Sequence, residues 1–131
     1  MKKRSRGFTV IEILFVILFV GTASIVFFVQ RHNVETAAAD TARKTAINAM
    51  YYGLEEVYYP AHSYYPTTID STALPSVDPA LFTDPDGNTF GTSKSEYHYQ
   101  GTNCTNDQCK SYTLRATLTN EADYVKTSNH N

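Results

Sequence analysis

The first half of the chain divides into two stretches by its hydrophobic pattern. Residues 8–29 form a run of 22 positions in which Glu12 is the only ionisable side chain. A helix of that length rises about 33 Å, close to the hydrocarbon thickness of a bilayer. Residues 30–59 contain no proline, and apolar positions from Val34 to Val57 recur every three or four residues, as in an amphipathic helix. The pattern therefore predicts one continuous helix from about Phe8 to Tyr59, ended by Pro60.

The second half of the chain has the pattern of a connecting loop followed by a small sheet. All five prolines lie in residues 60–95, so this stretch is predicted to be irregular, apart from a one-turn helix near Asp78 to Phe82. A turn is expected at Asn120-Glu121. Strands are predicted by alternation at 96–100 and 111–119, with a weaker third at 122–127. Packing the apolar sheet face (96–127) on the helix gives an α+β fold, with a long N-terminal α-helix against a small antiparallel β-sheet of about three strands.

The charges are distributed unevenly along the 131 residues. Four cations precede the apolar run with no acid among them, namely Lys2, Lys3, Arg4 and Arg6. Subtracting these four from 11 Lys+Arg leaves seven cations against 13 Asp+Glu, a net charge near −6 for the remainder. Such a chain has no basic stripe that would neutralise phosphates, which argues against nucleic-acid binding. Cations before the span, with only Arg31 close after it, place the N-terminus on the cytoplasmic side.

A specific junction leads into the apolar helix. The sequence Lys-Lys-Arg-Ser-Arg-Gly7-Phe8-Thr9-Val10-Ile11-Glu12 combines a basic leader, a Gly-Phe-Thr step and an acid four residues further on. It resembles the precursors of the type IV pilin and type II secretion pseudopilin family. The resemblance implies cleavage between Gly7 and Phe8 by a prepilin peptidase, N-methylation of Phe8, and assembly through the helix on an inner-membrane platform into a homo-oligomeric or mixed pilin filament.

The same resemblance implies a division of the chain and a location for each part. Residues 1–7 would be the cleaved leader, 8–30 the transmembrane half of the helix, and 31–131 a pilin-like head. The precursor would sit in the cytoplasmic membrane, and the assembled protein would be an extracellular filament, or periplasmic in a pseudopilus. Adhesion, motility, DNA uptake and secretion are all uses of such filaments, and the sequence does not choose among them.

Glu12 is a carboxylate within the predicted membrane helix and needs a physical explanation. A carboxylate in a membrane helix is unfavourable and marks a partner and a function. Cleavage would create a positive amine at Phe8, four residues or about 6 Å away along the helix axis. Glu12 could pair with its own Phe8 amine or with that of a neighbouring subunit. Pairing between subunits would set the axial register of a helix bundle, as the resemblance implies. The alternative is a solvated glutamate among the lipid headgroups.

Other interpretations of the N-terminal segment stay open at this point. An ordinary secretory signal cleaved near Gly21-Thr22-Ala23 would fit the basic start, although the apolar run resumes at Ile25. An uncleaved single-pass receptor would use the same span as an anchor. Many type IV pilins also place a helix-breaking proline late in this helix. The present chain has none there, which favours a continuous helix.

The two cysteines, Cys104 and Cys109, bracket four residues between strand candidates. On the oxidising side of the membrane a disulfide is the natural expectation. A zinc site would need two further ligands, for which His98 and His130 are the nearby candidates, and the spacing is not that of a zinc finger.

Asp84, Asp86 and Asn88 have the alternating oxygens that open a calcium loop. Thr89 and Ser95 stand where such a loop needs glycine and a bidentate glutamate, so a simple Asp-Gly turn is favoured and no cofactor is expected. The stretch is also similar to the Asp-Pro-x-Gly-Asn turn of type II secretion pseudopilins, as Tyr65-Pro66-Thr67 is similar to their Tyr-Pro-Thr.

The chain has ten tyrosines and no tryptophan. Tyr58, Tyr59, Tyr64 and Tyr65 are candidates for stacking on sugars or single-stranded DNA. No cations are interleaved among them, so packing of the helix-to-sheet seam and of subunit contacts is the favoured interpretation. The four histidines are scattered, and no nucleophile motif or glycine-rich phosphate loop is present, so the sequence predicts a protein that is not an enzyme.

Overall fold

The computed structural model describes residues 7–130, so the leader cations lie outside the described residues. Helix α1 runs Val10–Tyr52 and is followed by a π-helical turn, Gly53–Tyr58, and a short helix α2, Tyr59–His62. The chain divides into two compact units, the first ending at Glu35 and the second beginning at Thr36. The first unit consists of the apolar part of α1, and the second holds the rest of α1 and the sheet.

The helical region extends beyond the predicted end at Pro60. Pro60 lies in the first turn of α2, where a missing backbone N–H leaves no hydrogen bond unmade. The helix ends instead at Ser63, which has a left-handed φ of 64° and donates its N–H to the Tyr59 carbonyl at 2.7 Å. The prediction that proline ends the helix was therefore wrong, because the backbone keeps helical φ and ψ values at Tyr58 and Tyr59 and continues past Pro60 to His62.

Four antiparallel strands form the sheet: β1 (Tyr65–Pro66), β2 (Tyr97–Thr105), β3 (Gln108–Ala116) and β4 (Tyr124–Thr127). Strand β3 is central and pairs with β2 along its length. Strands β1 and β4 pair with opposite ends of β3, with Tyr65 opposite Cys109 and Tyr124 opposite Ala116. This arrangement confirms the predicted α+β fold of a long N-terminal helix with a small antiparallel sheet.

The structure adds detail that the pattern did not predict. Strands β2 and β3 form one long hairpin closed by Asn106 and Asp107, which both have positive φ values, 51° and 61°, as in the favoured two-residue hairpin turn. Strand β1 lies inside the stretch predicted as loop, because two residues are too short to show alternation. The predicted one-turn helix is present as a 3₁₀ turn, Pro79–Phe82, after Asp78.

The core of the second unit lies between helix and sheet. Helix α1 and the π-helical turn contribute one layer, the strands the opposite layer, and the connecting loop closes the sides. The fully or nearly buried apolar residues are Ala46, Ile47, Met50 and Leu54 from the helical layer, Tyr65, Tyr97, Cys109, Tyr112, Leu114 and Ala116 from the strands, and Ile69, Leu74, Val77, Phe82 and Leu118 from the connections. Burial of side chains of this size is the main stabilising contribution to a domain this small.

Gly101 on β2 approaches the disulfide more closely than any side chain allows. A Cβ atom at this position would lie 2.5 Å from Cys109 Sγ and 3.1 Å from Cys104 Sγ. Gly101→Ala is therefore expected to lower the free energy of unfolding by about 1–3 kcal/mol through overpacking. Urea unfolding of the full chain in micelles measures this value. Gln100→Ala, an exposed neighbour on the same strand, is the matched control, and equal stability of the two variants would contradict the prediction.

Candidate functional site

The two predicted assembly residues, Phe8 and Glu12, lie on either side of the start of α1. Gly7, Phe8 and Thr9 precede the helix, and the Thr9 carbonyl accepts the N–H groups of Glu12 at 3.0 Å and of Ile13 at 3.2 Å. Glu12 is thus in the first helical turn, where the helix dipole favours a negative charge. Within residues 7–130 the Glu12 carboxylate is exposed and makes no ion pair. A cation supplied by another molecule could reach it.

The first unit exposes an apolar surface on every side of the helix. The stretch is long and apolar enough to cross a membrane, and none of its most apolar window is buried. An apolar surface of this size requires lipid or other apolar helices to cover it. The large exposed side chains between Phe8 and Val29 are Phe8, Val10, Ile11, Ile13, Leu14, Phe15, Val16, Ile17, Leu18, Phe19, Val20, Ile25, Val26, Phe27, Phe28 and Val29.

The two hydroxyl groups in the middle of this helix are satisfied within it. Thr22 Oγ1 donates to the Leu18 carbonyl at 3.1 Å, and Ser24 Oγ donates to the Val20 carbonyl at 2.8 Å. Helix α1 continues without a break through Gly21. Such internal hydrogen bonding is what a hydrocarbon environment demands of a spanning segment.

One turn of α1 in the second unit holds two loops through a polar cluster, here called the loop clasp: Asp40, Arg43, Asp86 and the backbone N–H groups of Thr119 and Asn120. Asp40 accepts these N–H groups at 2.9 and 3.0 Å. Arg43 donates to Asp40 at 2.8 Å and to Asp86 Oδ2 at 2.6 Å. Asp40 and Arg43 are buried, whereas the Asp86 side chain is 59% exposed.

Asp40 and Arg43 of the loop clasp stay ionised although they are buried, because each has hydrogen-bonding or charged partners. Burial alone would raise the pKa of Asp40, but the N–H groups of Thr119 and Asn120 and the guanidinium of Arg43 together lower it below the usual range. Burial would likewise lower the pKa of Arg43, and the carboxylates of Asp86 and Asp40 raise it instead. Both groups are therefore charged at neutral pH, and the connecting loop and the loop before β4 are tied to the same helical turn.

The carboxylates considered for calcium accept hydrogen bonds from protein N–H groups. Asp84 Oδ1 accepts the N–H groups of Asp86 at 3.0 Å and Asn88 at 2.8 Å, and Oδ2 accepts the Glu96 N–H at 3.1 Å. Burial opposes ionisation of Asp84, but these N–H groups lower its pKa. Asp86 is taken by Arg43. Among residues 7–130 no three His, Cys, Asp or Glu side chains are grouped to hold a metal. The arrangement is that of a turn, with Gly87 at φ 84°.

Cys104 and Cys109 are joined in a disulfide across the β2–β3 hairpin, where they lie opposite each other. Both sulfurs are used in this bond, so neither thiolate is left for the zinc alternative in this structure. The two histidines considered as further zinc ligands lie against other residues. His98 lies opposite Arg115 in the sheet, and His130 stacks on Tyr59 at 4.2 Å.

Glu55 forms a buried polar centre that the sequence pattern missed. Its carboxylate accepts hydrogen bonds from Tyr112 Oη at 2.8 Å and Tyr65 Oη at 3.0 Å, and from the Asn129 N–H at 3.3 Å. Burial and the Glu55 charge raise the pKa of both tyrosines. Val57, predicted to lie on the apolar stripe, is 49% exposed. The π-helical turn carries an extra residue per turn, which moves Glu55 inward and Val57 outward.

The four tyrosines considered for stacking fall into different environments. Tyr65 is completely buried, and Tyr59 lies between the rings of His130 at 4.2 Å and Tyr65 at 4.9 Å. Tyr58 stacks on His62 at 4.2 Å. These three rings pack the end of the helix against the sheet. Tyr64 is half-buried and borders an open groove.

No signal in the sequence separates the buried Asp40, Arg43 and Glu55 from solvated charges on a helix, because their partners are distant in the chain. Comparison of the chain with models of protein families, with curated proteins and with solved structures found no match at any of the three levels. The features that indicate a function are the exposed apolar helix and the residues at its start.

Proposed function

We propose that the protein is a structural subunit of a type IV pilus-like filament, cleaved between Gly7 and Phe8 and assembled through its N-terminal helix. The observation that carries the proposal is an apolar helix, exposed on every side, with one carboxylate in its first turn. That carboxylate, Glu12, lies four residues from the terminus that cleavage would create. A simple membrane anchor has no use for a charge at this position.

The physical reason for assembly is the pairing of two charges that each lack a partner. The new amine at Phe8 and the carboxylate of Glu12 would both be poorly solvated at the edge of the hydrocarbon region, where their attraction is stronger than in water. Removing either partner would leave an uncompensated charge. Helices that align so that each Glu12 meets a neighbouring Phe8 amine bury their apolar surfaces together and share one axial register.

The remaining partners and the location follow from the same scheme. A prepilin peptidase would act at the cytoplasmic face, and an assembly platform in the inner membrane would extract the mature subunit. The filament would be homo-oligomeric or mixed. The Cys104–Cys109 disulfide supports exposure of the second unit to an oxidising compartment such as the periplasm or cell exterior.

A second candidate within this class is a pseudopilin of a secretion or DNA-uptake machine. The tight Asp84–Asn88 turn and the Tyr65-Pro66-Thr67 segment favour it, since both are similar to pseudopilin sequences. Surface filaments that disappear on deletion would support a pilus, whereas short periplasmic assemblies would support a pseudopilus. Salt-dependent DNA binding would favour the DNA-uptake version.

Gly7→Leu is expected to block maturation, because a peptidase that fits a glycine before the scissile bond has no room for an isobutyl group. The protein from membranes should then keep its seven-residue leader, and intact mass spectrometry measures the difference. Gly21→Leu is the matched control, since no atom lies within 4 Å of a Cβ placed there. An uncleaved single-pass receptor would show the full precursor mass even for the unaltered chain, which would refute the proposal.

A further inference from the structure

A groove opens in the second unit between the end of the helical region and the tip of the β2–β3 hairpin. One wall is formed by Tyr59, Ser63 and Tyr64, and the other by hairpin residues. The groove, here called the distal groove, encloses about 430 Å³ and is lined by Tyr59, Ser63, Tyr64, Asn103, Thr105, Gln108, Cys109 and Lys110. Its volume is within the range of roughly 300–1,000 Å³ that small-molecule sites occupy.

Both walls of the distal groove are held in place before any ligand arrives. The disulfide and the tight Asn106-Asp107 turn constrain the hairpin wall. On the other wall, Tyr64 contacts the rings of Tyr58 at 6.0 Å and His62 at 5.6 Å, both edge-on. A preorganised site loses little conformational entropy on binding.

Asn103 adds a second, independent observation. It lines the groove and has a left-handed φ of 54° in the middle of a strand, a conformation that non-glycine residues adopt at a cost. The register between β2 and β3 is the same on both sides of Asn103, with Thr102 opposite Ser111 and Cys104 opposite Cys109. The departure from regular strand geometry is therefore in the backbone of Asn103 itself, the residue that borders the groove.

The polar side chains that line the distal groove suit a ligand rich in hydroxyl groups. Amide and hydroxyl groups of Ser63, Asn103, Thr105 and Gln108 can both donate and accept hydrogen bonds, which matches the hydroxyls of a sugar. No parallel ring covers Tyr64 in the described chain, in contrast to Tyr59, so Tyr64 can pack against the C–H face of a pyranose.

Other ligand classes fit the lining less well. A nucleic-acid strand needs several cations along its path, and Lys110 is the single cation among the described lining residues, none of which is acidic. An apolar ligand would desolvate the amides and hydroxyls without replacing their hydrogen bonds. We propose that the distal groove binds an oligosaccharide, with Tyr64 as the stacking platform and Asn103 and Gln108 as hydrogen-bonding residues.

The groove lies far from the start of the second unit. From Thr36 to Ser63 the helical region rises roughly 40 Å, so a ligand in the groove would contact none of the residues near Thr36.

The test uses the full chain in lauryldimethylamine oxide micelles, because a maltoside detergent would compete as a sugar. Chitohexaose, cellohexaose and a hyaluronan hexasaccharide are the probes, with saturation-transfer NMR and calorimetry as the measurements. At least one probe is expected to bind saturably. Tyr64→Ala should weaken that binding roughly tenfold, as loss of a stacking ring does in other sites. Gln108→Ala should weaken it less, and Tyr64→Phe should retain it.

Tyr52→Ala is the matched control, because Tyr52 is an exposed tyrosine of α1 that does not line the groove. It should leave binding unchanged. Circular dichroism and an intact disulfide confirm the fold of each variant. Three results would overturn the proposal: no saturable binding of any probe, equal binding by Tyr64→Ala and the unaltered chain, or binding only of a thymidine dodecamer that is lost with Lys110→Ala.

Discussion

Glu12→Ala is expected to leave membrane insertion intact while incorporation into filaments falls at least roughly tenfold, the effect of about 1.4 kcal/mol per subunit. The substitution removes a charge from the apolar segment, so insertion becomes easier. In the proposed filament it would also leave each Phe8 amine without a carboxylate, so subunits would lose the contact proposed to set their axial register. Membrane fractionation and quantification of sheared filaments measure the two effects separately.

Glu35→Ala is the matched control for this experiment. Glu35 is an exposed acid of the same helix, paired with Arg31 at 3.0 Å, and it lies beyond the apolar run. Exposed pairs of this kind contribute little. Normal filament yield from Glu12→Ala would contradict the register role and would favour a solvated glutamate at the headgroups. Equal losses from both variants would show that the effect is not specific to position 12.

Arg43→Ala is expected to destabilise the second unit by about 3–5 kcal/mol, the usual cost of removing one partner of a buried ion pair. The Arg43 side chain is 5% exposed and bridges Asp40 and Asp86. Without it, Asp40 keeps its two backbone N–H donors but loses its counter-charge, and Asp86 loses its anchor to the helix. Urea unfolding followed by tyrosine fluorescence measures the change, since the chain has no tryptophan.

The neighbouring Lys44→Ala is the matched control, since Lys44 pairs with Glu121 at 2.7 Å but both side chains are partly exposed. Lys44→Ala is expected to lower the free energy of unfolding by less than about 1 kcal/mol.

The pH dependence of the free energy of unfolding gives a further check. The folded-state pKa of Asp40 is lowered, so its stabilising contribution is present above the unfolded pKa of about 3.9 and is lost as the pH falls through the lower folded value. The difference between Arg43→Ala and the unaltered chain should therefore narrow in strong acid. A constant difference would contradict this account of the clasp.

Some features of the protein follow from local sequence because they depend on neighbouring residues only. The stretch from Val10 to Val29 makes an apolar helix wherever the rest of the chain lies, since helical hydrogen bonds join residues four apart. Alternation in β3 likewise indicated a strand, and two cysteines between strand candidates on the expected oxidising side of the membrane indicated a disulfide. The α+β fold followed because two apolar faces had to cover each other.

Tertiary structure alone decided which polar residues lie inside. Asp40 and Glu55 look like solvated helix charges in the sequence, yet their partners at Thr119, Tyr112 and Asn129 are more than fifty residues away. In the π-helical turn Glu55 is buried and Val57 is exposed, the reverse of what a regular 3.6-residue helical period predicts. Strand β1 forms through backbone pairing with the edge of β3 and has no local sequence pattern of its own. Local periodicity reports the element a segment prefers, whereas the burial of a charge depends on donors that only the folded chain brings to it.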